Sequence, residues 1–138
     1  MPEDVLNFNP DRILNVLVVE DNFINRTLLG KIFQKIGCTT TIVNDGPQAM
    51  AAFENSFYDL VFMDIELPGM DGFEVTKLLR NKYKDQPKQP IIVALTANSL
   101  SGERERCLDM GMNDYLAKPF SAEDVVNLVA KYGKQQVS

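Results

Sequence analysis

Between residues 16 and 117 the chain alternates five times between a short apolar or β-branched run and a segment with helical spacing. Runs of three to five such residues, flanked by turn formers, read as strands. They occupy residues 16–19, 39–43, 60–63, 91–95 and 115–117. The apolar ones lack polar alternation, as expected of strands buried on both faces. Alternating βα units then predict a parallel sheet with helices on both sides, the α/β doubly wound class. Right-handed crossovers narrow the topology. A five-stranded, flavodoxin-like sheet ordered 2-1-3-4-5 is the simplest closure, with strands one and three meeting at the switch point.

The intervening segments carry helix signals. Leu28, Leu29, Ile32, Phe33 and Ile36 follow helical spacing, and Gly37 stops that helix. Asp45-Gly46-Pro47 turns the chain, with Pro47 expected at the first helical position. Ala49, Met50 and Phe53 form the next buried stripe, and Val75, Leu78 and Leu79 the one after, behind an Asp71–Glu74 cap. A short helix is expected over 102–109, closed by Gly111. Ser121 and Asp124 fit a capping box ahead of Val125, Leu128, Val129 and Tyr132. Residues 1–14 read as a polar lead-in or linker, 15–132 as one domain, and 133–138 as a tail.

Composition closes off several classes. With 138 residues and 45% hydrophobic content, the chain suits one ordinary core. No stretch approaches the roughly 18 apolar residues of a membrane span. The start, Met1-Pro2-Glu3-Asp4, has no signal-peptide character. A cytosolic (cytoplasmic) protein with no membrane contact is expected. The net charge of −5 with scattered lysines argues against nucleic acid. Cys38 and Cys107 form no metal or disulfide pattern and are expected as small buried apolar residues. The chain has no histidine, which excludes a histidine-assisted nucleophile and a histidine metal site. Any phosphohistidine chemistry requires another chain or domain.

The strand ends carry the chemistry. Glu20 and Asp21 follow strand one, Asp64 ends strand three, Thr96 ends strand four and Lys118 ends strand five. In the expected topology all five reach one rim. Carboxylates side by side resist simultaneous ionisation. A divalent cation resolves this, and oxygen ligands suit Mg²⁺ or Mn²⁺ rather than zinc. Lys118 supplies a compact cation and Thr96 a hydroxyl donor for phosphoryl oxygens. A nucleophile, a metal, a cation and a donor are the parts of phosphoryl transfer, with Asp64 forming an aspartyl phosphate. Singly, each residue has a plainer reading: Glu20-Asp21, Asp64 and Thr96 as caps or turns, Lys118 as a surface lysine, Tyr115 as core. Their convergence favours the chemical reading.

Val18-Val19-Glu20-Asp21-Asn22, Met63-Asp64-Ile65, Leu67-Pro68-Gly69-Met70-Asp71-Gly72, Leu95-Thr96-Ala97 and Tyr115-Leu116-Ala117-Lys118-Pro119-Phe120 resemble the motif set of the response-regulator receiver domain of two-component phosphorelay systems. The resemblance covers about residues 15–132. It implies that Asp64 is the phosphoacceptor and that Glu20 and Asp21 are the acidic metal pair. The Glu66 backbone carbonyl becomes a further metal ligand. Thr96 becomes the switch hydroxyl, Lys118 the family's lysine, and Tyr115 the aromatic that turns inward when Thr96 moves. Asn22 and Asn25 resemble receivers of hybrid sensor kinases. Leu67 stands where methionine is common, and Glu66 occupies a position that tunes phosphate lifetime.

The expected function is a phosphoacceptor module, not an enzyme beyond its own Mg²⁺-dependent phosphorylation and dephosphorylation. Its expected partner is a histidine kinase or histidine phosphotransfer protein. By resemblance, the fourth helix, fifth strand and fifth helix form the switched face, which also offers a dimerisation surface. One alternative is a metal-dependent aspartyl-phosphate phosphohydrolase using Asp64 and Glu66, though no cap domain fits in this length. Another is a flavodoxin-like cofactor binder, which would need a phosphate loop where the chain has Glu20-Asp21. The short tail is expected to leave no room for a DNA-binding domain, which suits a free-standing receiver or one belonging to a larger sensor kinase.

Overall fold

The computed structural model describes residues 13–97 and 102–137, with side chains described to residue 133. Most of the expected lead-in and the last residue of the expected tail lie outside the described residues. The elements run β1 (Asn15–Val19), α1 (Phe23–Lys35), β2 (Thr39–Val43), α2 (Gly46–Asn55), β3 (Leu60–Asp64), α3 (Gly72–Lys82), β4 (Ile91–Thr96), α4 (Glu103–Asp109), β5 (Asp114–Ala117) and α5 (Ala122–Val137). The five strands form one parallel sheet ordered β2-β1-β3-β4-β5, the expected doubly wound topology.

Successive side chains of a strand point to opposite faces, and here both faces are apolar. Val16, Val18, Leu60, Phe62, Val93 and Leu95 pack with Leu29, Phe33, Val125 and Val129 of α1 and α5. Leu17, Val19, Val61, Met63, Ile92 and Ala94 pack with Ala49, Phe53, Val75, Leu79 and Cys107 of α2, α3 and α4. Two apolar layers explain why the central strands read as unbroken runs. At the core of the first layer the Phe33 and Phe62 rings lie 5.2 Å apart.

Several local expectations shift. The Asp45 carboxylate accepts from the Gln48 amide at 2.9 Å, which starts α2 at Gly46 and makes Pro47 its second residue. Leu78 is 43% exposed and Leu28 37%, so neither joins the core; Thr76 and Phe73 fill α3's inner face instead. Cys107 is buried as expected, but Cys38 is only half-buried, because it sits where the chain enters the edge strand β2. The caps at Asp71 and at Ser121 with Asp124 form as read from the sequence. No helix among the described residues is long and apolar enough to cross a membrane.

Candidate functional site

Topology alone brings the strand ends together. Val19 of β1 is level with Met63 of β3, so Glu20 and Asp64 leave the sheet side by side. Asp64 is level with Leu95, and Thr96 with Ala117, which sets Thr96 and Lys118 on the same rim. The Lys118 amide donates to the Thr96 carbonyl at 2.7 Å, fixing the last turn of that rim.

Glu20, Asp21 and Asp64 each present an oxygen, and these atoms all lie within 4.8 Å of one another. The Lys118 ammonium donates to Asp64 Oδ2 at 3.0 Å and to Glu20 Oε2 at 3.1 Å. Asp64 Oδ1 accepts the Glu66 backbone amide at 2.9 Å. Glu20 Oε1 accepts from Asn25 Nδ2 at 3.1 Å and from the Asn22 amide at 3.3 Å. Asn22 also caps α1, accepting from the Asn25 amide at 3.0 Å. The asparagine pair thus both starts a helix and holds a site carboxylate.

The charges do not balance. Three carboxylates face one ammonium, and Glu20 is fully buried and Asp64 nearly so, while Asp21 is exposed. Burial first, and then the neighbouring Asp64, hold the Glu20 carboxyl above its ordinary range despite Asn25 and Lys118. Burial works against the charge on Lys118, but Asp64 and Glu20 outweigh it and raise the ammonium's pKa. The all-oxygen donor set, still negative after Lys118 is counted, is chemically suited to a hard divalent cation.

Backbone packing holds Asp64 in place. A Cβ on Gly72 would lie 2.5 Å from the Asp64 carbonyl oxygen and 2.8 Å from Ile65 Cα. Only glycine lets the start of α3 approach the end of β3 this closely.

Of the residues singled out in the sequence, Glu20, Asp21, Asp64 and Lys118 form one cluster, and Thr96 stands beside it, fully buried. The Glu66 side chain is exposed. Tyr115 is half-buried and lines a groove with Pro119, Asn127 and Leu128. One polar contact escaped the sequence reading. The Thr96 hydroxyl donates to Glu103 Oε1 at 3.4 Å, and Glu103 is itself buried. Its only signal was an acid opening a short helix, which ordinarily reads as a solvated first-turn residue.

The family model of the response regulator receiver domain matches residues 16–130. The chain belongs to that family. It is 37% identical over 131 residues to hybrid signal transduction histidine kinase L of Dictyostelium discoideum, covering 91% of this chain but 8% of that kinase. The receiver thus spans under a tenth of this relative's length. Among solved structures it resembles the receiver domain of Ssk1 of Saccharomyces cerevisiae, co-crystallised with the histidine phosphotransfer signaling protein Ypd1. The TM-score is 0.86 and identity 31%, over 91% of this chain and 92% of that one. It also resembles the receiver domain of sensor histidine kinase PA1611 from Pseudomonas aeruginosa, solved with magnesium in its active site cleft. Here the TM-score is 0.77 and identity 39%, over 88% of this receiver and 98% of that chain.

Proposed function

We propose that this receiver accepts a phosphoryl group from a partner's phosphohistidine onto Asp64, with Mg²⁺ held by Glu20, Asp21, Asp64 and the Glu66 carbonyl. One observation carries the proposal: the Asp64 carboxylate is 3.0 Å from Lys118 Nζ, inside a carboxylate cluster spanning at most 4.8 Å. Mg²⁺, which Mn²⁺ could replace, would neutralise charge on the carboxylates and on the incoming phosphoryl oxygens.

An Asp64 oxygen attacks phosphorus as the bond to the imidazole nitrogen breaks. The nitrogen keeps the electron pair, and an acyl phosphate remains on Asp64. The Glu66 amide and Lys118 orient the attacking carboxylate, and Lys118 then neutralises phosphoryl charge. The chain has no histidine, so the phosphohistidine lies on another chain or domain, that of a histidine kinase or a phosphotransfer protein. The exposed Phe23 and Ile24 begin α1 just past Asp21 and give that donor an apolar landing beside the site. Thr96 and Tyr115 carry the change to a face built from α4, β5 and α5, in the cytoplasm. The comparisons lend no support to pairing of two copies through that face. A phosphohydrolase would use Glu66 as its acid, but what Glu66 gives Asp64 is its backbone amide.

The test is incubation with Mg²⁺ and a small phosphodonor, followed by intact mass. One base-labile phosphoryl adduct is expected, absent in Asp64→Asn. Labelling of Asp64→Asn at the wild-type level rejects the assignment.

A further inference from the structure

An acid in a first helical turn needs no special role, since it complements the helix dipole, as the exposed Glu105 does. Glu103 differs. It is 6% exposed, it opens α4, and it accepts a hydrogen bond from Thr96 of β4. The N-cap of α4 is Gly102, at φ 95°, which offers no capping side chain. The Glu103–Thr96 bond therefore ties an uncapped helix end to the rim that carries Asp64.

Resting on the phosphoacceptor reading of Asp64, we infer that Glu103 is a positioning residue that holds the Thr96 hydroxyl away from the phosphoryl group and releases it when Asp64 is phosphorylated. The chemistry is exclusive. A threonine hydroxyl has one proton to donate, and an ionised carboxylate only accepts. While Thr96 donates to Glu103, it cannot donate to a phosphoryl oxygen. Thr96 lies one residue beyond Leu95, the partner of Asp64 across the sheet, so both acceptors compete for it at close range. The bond to Glu103 is long, at 3.4 Å, and a phosphoryl group is a stronger charged acceptor. Phosphorylation also adds about one net negative charge at Asp64, since the acyl phosphate carries up to about two where the carboxylate carried one. That added charge repels the buried Glu103 carboxylate just as it loses its hydroxyl. Phosphorylation thus loosens the start of α4 through a carboxylate that touches neither Asp64 nor Lys118 in the contacts described.

The test uses the whole chain with Mg²⁺ and beryllofluoride, a phosphoryl mimic that binds an aspartate oxygen. Glu103→Ala should tighten beryllofluoride binding about fivefold, the scale of one net hydrogen bond. Glu103→Gln, which keeps the shape and an acceptor oxygen but not the charge, should tighten it less. In a Thr96→Ala background the Glu103→Ala gain should fall away, which a merely structural effect would not do. Without metal or mimic, Glu103→Ala should also shift the Thr96 side-chain rotamer, read from NMR three-bond couplings. Unchanged or weaker binding, or an equal gain in the Thr96→Ala background, overturns the latch while leaving Asp64 as acceptor. Unaltered Thr96 couplings overturn it as well. Failure of wild type to bind beryllofluoride at Asp64 removes the phosphoacceptor reading, and the latch with it.

Discussion

At the amino end of the sheet two buried aspartates are each answered by a lysine; at the carboxyl end three carboxylates share one. Asp59 pairs with Lys88 at 2.9 Å and accepts the Asn15 amide at 2.8 Å. Asp114 accepts from Lys131 at 3.2 Å, from the Tyr132 hydroxyl at 2.9 Å and from the Tyr115 amide at 2.9 Å. Burial works to raise the Asp114 pKa, but those donors outweigh it and hold the carboxyl below its ordinary range. Glu20, at the other end, is displaced upward by burial and by Asp64. A raised carboxyl pKa means the folded chain loses stability as pH rises through that window, so the Glu20 carboxylate is kept at a thermodynamic cost. The same residue types at strand ends are thus saturated at one end, where they hold the fold, and unsaturated at the other, where the chemistry is proposed.

The strongest way to break this contrast is at Lys118. Lys118→Ala should slow phosphoryl transfer by roughly 100- to 1,000-fold, the effect of removing one charged stabiliser. It should also tighten Mg²⁺ binding, because the cluster loses its competing cation. Transfer kinetics and a Mg²⁺ titration on one variant would therefore move in opposite directions. Weaker Mg²⁺ binding in Lys118→Ala would mean the carboxylates are not the cation's ligands.

Gly72→Ala should come next, at about 3 kcal/mol of lost stability, the upper range for overpacking. Its Cβ meets backbone rather than a flexible side chain, at 2.5 Å from the Asp64 carbonyl oxygen. The backbone that carries Asp64 must move, so labelling should fall along with the urea midpoint. A variant as stable and as readily labelled as wild type would show that the approach of α3 to β3 is not what positions Asp64.

Mg²⁺ should sharpen the contrast by stabilising one end only. Binding to the folded chain alone adds about 1.4 kcal/mol at ten times Kd. Thermal melts should rise with Mg²⁺ in wild type and in Lys131→Ala, and far less in Asp21→Asn. An equal rise in Asp21→Asn would place the ion elsewhere.

The fold was legible because its two apolar layers write themselves as unbroken runs such as Leu60 to Met63, and because crossover handedness leaves few strand orders. Glu20, Asp21, Asp64 and Lys118 were legible for the same reason: strand ends on a parallel sheet share a rim. What stayed hidden depends on contacts between elements. Nothing local marks Glu103 as facing Thr96. Arg80 reads as an ordinary basic residue in a last helical turn. In the fold its guanidinium donates to the Gly111 carbonyl at 2.7 Å, the Pro90 carbonyl at 2.8 Å and Asn113 Oδ1 at 2.7 Å, joining α3 to the starts of β4 and β5. Leu28 and Leu78 fit a helical stripe by spacing but fall on its margin, and spacing alone does not fix a stripe's width.

The smallest effects belong to the amino end, where they should appear as stability alone. Asp114 has its folded pKa depressed below the ordinary 3.8. Its contribution is therefore complete above about pH 4 and is lost as pH falls through the depressed folded value, because the unfolded chain binds the proton first. Urea midpoints measured from pH 5 down to pH 2 should show this slope in wild type, and Asp114→Asn should flatten it by less than one proton. Lys131→Ala should shift stability by less still, about 1 kcal/mol or under, since its side chain is 54% exposed and solvent screens the pair. Both variants should accept phosphoryl groups at the wild-type rate. If Lys131→Ala slowed transfer as Lys118→Ala does, the two ends of the sheet would be coupled, and the division of labour between saturated and unsaturated carboxylates would fail.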